Sequence, residues 1–146
     1  MIQYRLGKKS DARSLAKVHL LCAKDQKGGF FHNFGFHFTL IYYKILLSNK
    51  YSVILIAEDL DEKCLGFHSG TLKMEEQLYQ LKKKKLILAI SLLPKVIMKP
   101  KLLYDVLRRY GSITTVENRR NDFGVKEGAR GEYWCWLESN SDPLEA

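Results

Sequence analysis

Apolar positions between residues 52 and 72 fall into two short runs that predict a β-hairpin. Residues 53–57 are almost continuously apolar, residues 59–63 carry charge, and residues 64–72 resume an apolar run that contains Gly66 and Gly70. Two runs of strand length around a short polar connection are typical of paired antiparallel strands. Because the first run does not alternate with polar residues, we expect helices to cover both of its faces.

The segment before this hairpin predicts a strand followed by two helices. Apolar and polar residues alternate over residues 2–6, as in a half-buried strand. Helical spacing of apolar residues then predicts amphipathic helices over residues 11–23 and 33–47. Between them, Gly28 and Gly29 precede Phe30 and Phe31, which indicates a flexible loop with exposed or pocket-lining rings.

The segment after the hairpin predicts an insertion and one more strand. Residues 73–131 contain helix-spaced apolar residues and then a polar, glycine-containing stretch, so we expect a mostly helical insertion. Residues 133–138 are rich in aromatic residues and predict a strand. We expect this strand to pair with the second strand of the hairpin. Alternation places one set of side chains on one face (Glu132, Trp134, Trp136 and Glu138) and a second set on the other (Tyr133, Cys135 and Leu137). A polar turn and Pro143 then predict the start of a helix.

Composition and charge narrow the class of protein. The chain has 146 residues, of which 46% are apolar and 27% charged, as expected for one globular domain spanning residues 1–146. Its net charge of +8 suggests acidic small molecules, nucleic acid or an anionic surface as partners, or serves solubility alone. The lysine run at residues 82–85 is open to the same alternatives, and a solvated helix face is the favoured interpretation.

Cysteine usage and hydropathy suggest a cytoplasmic protein without a membrane span. Cys22, Cys64 and Cys135 lie far apart with no C-x-x-C pair, so we expect buried thiols and no metal site. The amino terminus has no apolar signal core, and the apolar run at residues 86–93 is too short to span a bilayer.

Three segments resemble the GNAT superfamily of N-acetyltransferases. The opening I-Q-Y-R-L-G-K-K-S-D-A-R-S-L-A-K-V-H is similar to its first strand and helix. G-G-F-F-H-N-F-G-F-H-F-T-L-I-Y-Y-K-I-L-L looks like the second helix of one branch, and V-I-L-I-A-E-D-L-D-E-K-C-L-G-F-H-S-G is similar to its second and third strands. The resemblance covers roughly the first half of the chain. It implies an α+β fold with a mixed, mostly antiparallel sheet flanked by helices, here with a helical insertion between the third and fourth strands.

The resemblance also implies an activity, transfer of an acetyl group from acetyl-CoA to a primary amine of a small molecule or a protein. A glutamate on the fourth strand often serves as the base in such enzymes, which points to Glu132 or Glu138. The acceptor would contact Gly29, Phe30, Phe31 and Trp134, and the cofactor would contact Trp136, Leu137, Ser139, Asn140 and Ser141. The family's usual arginine or glutamine followed by spaced glycines is absent, and residues 139–142 stand in its place.

The chain ends at Ala146, soon after the last predicted helix begins. We therefore expect an acceptor-side portion, truncated after the fourth strand, that binds acetyl-CoA weakly and is inactive alone. Two other functions stay open: a basic module that binds a polyanion, and a non-catalytic GNAT-like interaction subunit. Nucleic acid is the less favoured polyanion because no recognised nucleic-acid motif is present. A homodimer is a further alternative.

Overall fold

The computed structural model describes residues 2–24, 30–100, 104 and 128–137. In this part of the chain the strands are β1 (Gln3–Leu6), β2 (Ser52–Glu58), β3 (Cys64–Thr71) and β4 (Arg130–Trp136). The helices are α1 (Ala12–Ala23), α2 (Phe30–Leu46), α3 (Met74–Lys83) and α4 (Lys85–Met98). The predicted order of strand, two helices, hairpin, helical segment and strand is confirmed, and the fold is α+β.

The described strands form one antiparallel sheet in the order β1-β2-β3-β4. β2 and β3 are the predicted hairpin, with Ile54 opposite Ser69 and Ile56 opposite Phe67. The aromatic strand β4 pairs with β3, as the sequence predicts, with Cys135 opposite Phe67. β1 and β4 are therefore the two edges of this sheet.

The helical insertion is confirmed as far as the structure describes it. α3 and α4 follow the hairpin and account for residues 74–98, with Lys84 between them. After α4, only residues 99, 100, 104 and 128–131 of the predicted insertion are described.

The hydrophobic core lies between one face of the sheet and the helices. It contains buried residues from both hairpin strands and from α1 and α2, among them Leu15, Val18, Phe34, Tyr43, Ile54, Ile56 and Phe67. The expectation that both faces of β2 are covered is wrong, because Val53 and Leu55 are 39% and 43% exposed while Ile54 and Ile56 are buried. The described helices cover one face, and the outward positions of β2 happen to be apolar as well.

α2 starts earlier than predicted and contains a break at Gly35. Gly35 has φ 76° and ψ −175°, a conformation that glycine adopts far more readily than other residues. The Thr39 hydroxyl donates a hydrogen bond of 2.9 Å to the Gly35 carbonyl and so helps satisfy the backbone beside the break. Phe31 therefore belongs to α2 and not to the predicted loop, and its side chain is buried in the core.

An ionic network fixes β1 to β2 and to the start of α1. Arg5 donates to Asp11 through both terminal nitrogens, at 2.7 and 3.1 Å, and its Nε donates to Glu58 at 2.8 Å. Glu58 is buried, so Arg5 supplies the charge that makes its burial tolerable. The hydrogen bond from Arg5 lowers the pKa of Asp11 from its ordinary value of 3.8.

Replacing Arg5 with Met should destabilise the protein by roughly 1.5–3 kcal/mol at pH 7, because two carboxylates lose a charged partner. Because the pKa of Asp11 is lowered in the folded state, its carboxylate contributes fully to the free energy of unfolding above pH 3.8. This contribution is lost as pH falls through the lowered pKa. The difference between wild type and variant in urea unfolding should therefore shrink at pH 3. Lys17→Met, at an exposed position on α1, is the control and should change stability little. Equal effects of the two substitutions at pH 7 would contradict this role of Arg5.

Candidate active site

A β-bulge in β4 shapes the candidate site. Ser69 pairs with Tyr133 and Gly70 pairs with Gly131, so Glu132 has no partner position on β3. Gly70 and Gly131 make this close approach feasible, since a Cβ on Gly70 would lie 2.7 Å from the Arg130 carbonyl oxygen. A bulge inserts one residue into one strand and changes the direction of the side chains beside it.

The bulge turns Glu132 toward the helices. Its Oε1 accepts a hydrogen bond of 2.6 Å from Nε2 of Gln77 on α3. Its Oε2 lies 3.4 Å from the hydroxyl of Tyr42 on α2, which donates to it. Two helices from different parts of the chain thus hold one half-buried carboxylate on the covered side of the sheet.

The prediction that Glu132, Trp134 and Trp136 lie on one face of the strand is wrong. Glu132 and the adjacent Tyr133 both reach α2, where Tyr133 lies 6.4 Å from Tyr42 between ring centroids. Trp134 is 69% exposed and packs beside His68, whose side chain is also exposed, on the open face of the sheet. Strict alternation fails because the bulge adds one residue between Gly131 and Tyr133.

Two further polar atoms near the bulge have no hydrogen-bond partner among the described residues. One is Oε1 of Gln77, whose side chain is 2% exposed and whose amide nitrogen already binds Glu132. The other is the hydroxyl of Ser69, which is fully buried on β3 opposite Tyr133. Buried polar atoms are normally paired, so these two are exceptions within the described part of the chain.

The tyrosines beside Glu132 stay protonated. Burial, followed by the negative charge of Glu132, raises the pKa of Tyr42 well above 10. Burial and Glu132 also raise the pKa of Tyr133. Tyr42 therefore acts here as a hydrogen-bond donor to the carboxylate and not as a proton acceptor.

His19 is a core residue of this region, as its place on the apolar face of α1 predicts. Its Nδ1 lies 2.6 Å from the Tyr43 hydroxyl, and its ring packs at a tilt against Phe31 and Tyr133 at centroid distances of 4.3 and 4.9 Å. Burial lowers the pKa of His19 to about 4. The ring is therefore neutral at physiological pH.

The remaining predicted site residues are scattered or lie outside the described part of the chain. Trp136 packs its ring on Gly66, and its carbonyl accepts a hydrogen bond of 3.2 Å from Cys22. Leu137 donates its backbone N–H to the Leu65 carbonyl at 3.0 Å and packs against the core. The structure does not describe the side chain of Phe30. The other predicted site residues outside the described part of the chain are Gly29, Glu138, Ser139, Asn140 and Ser141.

Sequence analysis did not identify Tyr42 and Gln77 as parts of this site. Tyr42 occupies an apolar stripe of α2, where an aromatic residue is ordinarily core. Only Gln77 could have been identified from the sequence, because it lies three residues after Met74 and so on the same side of α3 as that apolar residue. A polar residue at a buried helical position needs a polar partner, and the sequence does not say which one.

No disulfide bond joins Cys22, Cys64 and Cys135, and burial raises the pKa of Cys64 to about 11 and that of Cys135 to about 12. Within the described ranges, no three His, Cys, Asp or Glu side chains are grouped so that they could hold a metal ion. None of the described helices is long and apolar enough to cross a membrane.

Comparison of the chain with protein-family models, curated proteins and solved structures finds no match. The geometry around Glu132 is therefore the basis for a functional proposal.

The lowered pKa of His19 predicts a pH dependence of stability. The unfolded chain binds a proton at His19 near pH 6.5 and the folded chain only near pH 4, so stability falls as pH drops below 6.5. Between pH 7.5 and pH 5 this one group should cost about 2 kcal/mol of unfolding free energy. Urea unfolding of His19→Gln, which keeps a polar group beside Tyr43, should show a flatter pH dependence over this range. An unchanged pH dependence in the variant would show that His19 is not the group responsible.

Proposed function

We propose that the protein is an acyl-CoA-dependent N-acyltransferase in which Glu132 is the general base. The observation that carries the proposal is a half-buried carboxylate at a bulge in an edge strand, held by Gln77 and Tyr42. The order of strands and helices up to the hairpin agrees with what the resemblance to GNAT enzymes implies, and supports the same assignment.

The geometry suits removal of a proton from an ammonium group. The amide of Gln77 and the hydroxyl of Tyr42 each occupy one oxygen of Glu132 and fix the carboxylate plane. Lone pairs remain on both carboxylate oxygens, so Glu132 can accept a further hydrogen bond. Glu132 would take one proton, and the neutral amine would then attack an acyl carbonyl.

The edge position of β4 supports a site for the acyl donor. Acetyl-CoA would supply a thioester carbonyl at which the new C–N bond would form as the C–S bond breaks. The leaving thiolate would take the second proton from the amine nitrogen, which gives the amide and the free CoA thiol. β4 is the last strand of the described sheet, so its outer backbone groups have no strand partner there. A backbone N–H beside the bulge can donate to the carbonyl oxygen as negative charge develops on it. Trp136 and Leu137, at the end of the same strand, remain the proposed contacts to the donor.

Glu132→Gln in the natural polypeptide that contains these residues should lower the rate of acetyl transfer by roughly a hundred-fold or more at neutral pH. The affinity for acetyl-CoA should change little, because the base acts on the acceptor proton. Transfer of radiolabelled acetyl groups to a panel of primary amines, with calorimetry of acetyl-CoA binding, measures both quantities.

Glu75→Gln, at an exposed position in the first turn of α3, is the matched control and should retain wild-type transfer. Gln77→Leu removes one of the two hydrogen-bond partners of Glu132 and should raise KM for the amine as well as lower kcat. Wild-type turnover by Glu132→Gln across the pH profile would refute the assignment of the base. Absence of both transfer and acetyl-CoA binding in the wild-type polypeptide would refute the proposed activity.

A further inference from the structure

The outward side of α4 is an uncovered aliphatic surface. Leu86, Ile90 and Ile97 are 70%, 63% and 80% exposed, and they recur at intervals of four and seven residues. These positions fall on one side of a helix of 3.6 residues per turn. Further exposed apolar side chains widen the surface on both flanks: Ile87, Leu93 and Met98. We call these six residues the α4 surface.

The opposite side of α4 is already used for folding. Leu92 is buried, and Leu88 and Val96 pack against the core beside it. Lys95 lays its side chain over Gly35 of α2, where a Cβ would lie 2.6 Å from its Cε. α4 is thus apolar around most of its circumference, although only one side has a partner among the described residues. A helix with this pattern is ordinarily buried on all sides.

Lysines flank the α4 surface at both ends of the helix. Lys82, Lys83 and Lys85 are exposed where α3 meets α4, and Lys99 is exposed immediately after α4. Residues 77–104 contain seven lysines and no aspartate or glutamate. Most of the excess positive charge of the chain, +8 in total, therefore falls in this segment of the sequence.

We propose that the α4 surface binds an anionic lipid membrane, with α4 lying in the plane of the interface. Aliphatic side chains would enter the boundary between headgroups and acyl chains, while the flanking lysines would contact anionic headgroups. α4 has 14 residues, which corresponds to a length of about 21 Å. This orientation needs no span of the bilayer.

The combination of side chains favours lipid over other partners. Proteins that bind single-stranded nucleic acid pair basic groups with aromatic stacking platforms, whereas the α4 surface is aliphatic. A second copy of this chain would bring its own lysines against these lysines, and like charges in apposition oppose association. An anionic membrane complements both the charge and the aliphatic surface.

Flotation of the 146-residue chain with vesicles tests the proposal. Vesicles of phosphatidylcholine with 30% phosphatidylserine should carry the protein at 50 mM salt, and vesicles of phosphatidylcholine alone should carry far less. Binding to the anionic vesicles should weaken as salt screens the lysines. No flotation with the anionic vesicles at low salt would overturn the proposal.

Two sets of substitutions separate the aliphatic and the basic contributions. Lys82→Gln with Lys83→Gln and Lys85→Gln should weaken binding by about a hundred-fold, since each lysine near an anionic surface contributes about five-fold. Lys9→Gln with Lys17→Gln and Lys44→Gln makes the same charge change at exposed positions elsewhere and should have a much smaller effect.

The aliphatic set has its own control. Leu86→Gln with Ile90→Gln and Ile97→Gln should weaken binding by at least about ten-fold, because three large side chains can no longer be buried favourably. Leu21→Gln with Leu60→Gln and Leu72→Gln alters three comparably exposed leucines elsewhere and should bind vesicles like wild type. All positions are exposed, and circular dichroism of each variant checks that the fold is retained.

Two alternative partners give distinct results. A dimer in sedimentation equilibrium that the aliphatic substitutions convert to a monomer would assign the α4 surface to self-association and overturn the lipid proposal. Binding to single-stranded RNA that survives the aliphatic substitutions, without flotation on anionic vesicles, would assign the lysines to nucleic acid and would also overturn it.

Discussion

Aromatic packing around His19 holds the two layers of the described structure together. The His19 ring on α1 contacts Phe31 of α2 at 4.3 Å and Tyr133 of β4 at 4.9 Å between centroids. Tyr43 links the same group to Phe67 of β3 at 5.4 Å and hydrogen-bonds the imidazole. One cluster therefore joins two helices to two neighbouring strands. Its rings are large and buried, so they contribute strongly to stability and also set how α2 lies over β4.

The position of β4 against this cluster explains how a carboxylate comes to face the core side. Tyr133 must point inward to meet His19, and regular alternation would then turn Glu132 outward. The bulge between Gly131 and Tyr133 removes that conflict, so both side chains reach α2. The same local irregularity thus serves packing and places the proposed base beside Gln77. Bulges next to active sites commonly redirect a side chain in this way.

Apolar residues remain exposed on two sides of the described structure. One is the open face of the sheet, with Val53, Leu55 and Trp134, and the other is the α4 surface. Their settings differ, because only the α4 surface of these two lies between exposed lysines in a segment without acidic residues. The lysines beside the α4 surface are the reason that we propose an anionic membrane as its partner.

Periodicity in the sequence by itself determined the order and type of the described elements, including the two hairpin strands and the aromatic strand. Local patterns suffice there because helix and strand place side chains at fixed repeats. Tertiary structure alone decided which face of β2 is covered, since Val53 and Ile54 are equally apolar. It also decided that Glu132 meets Tyr42 and Gln77, residues 90 and 55 positions away in the chain. A bulge arises from how two strands are paired and packed, and no repeat along one strand encodes that fit.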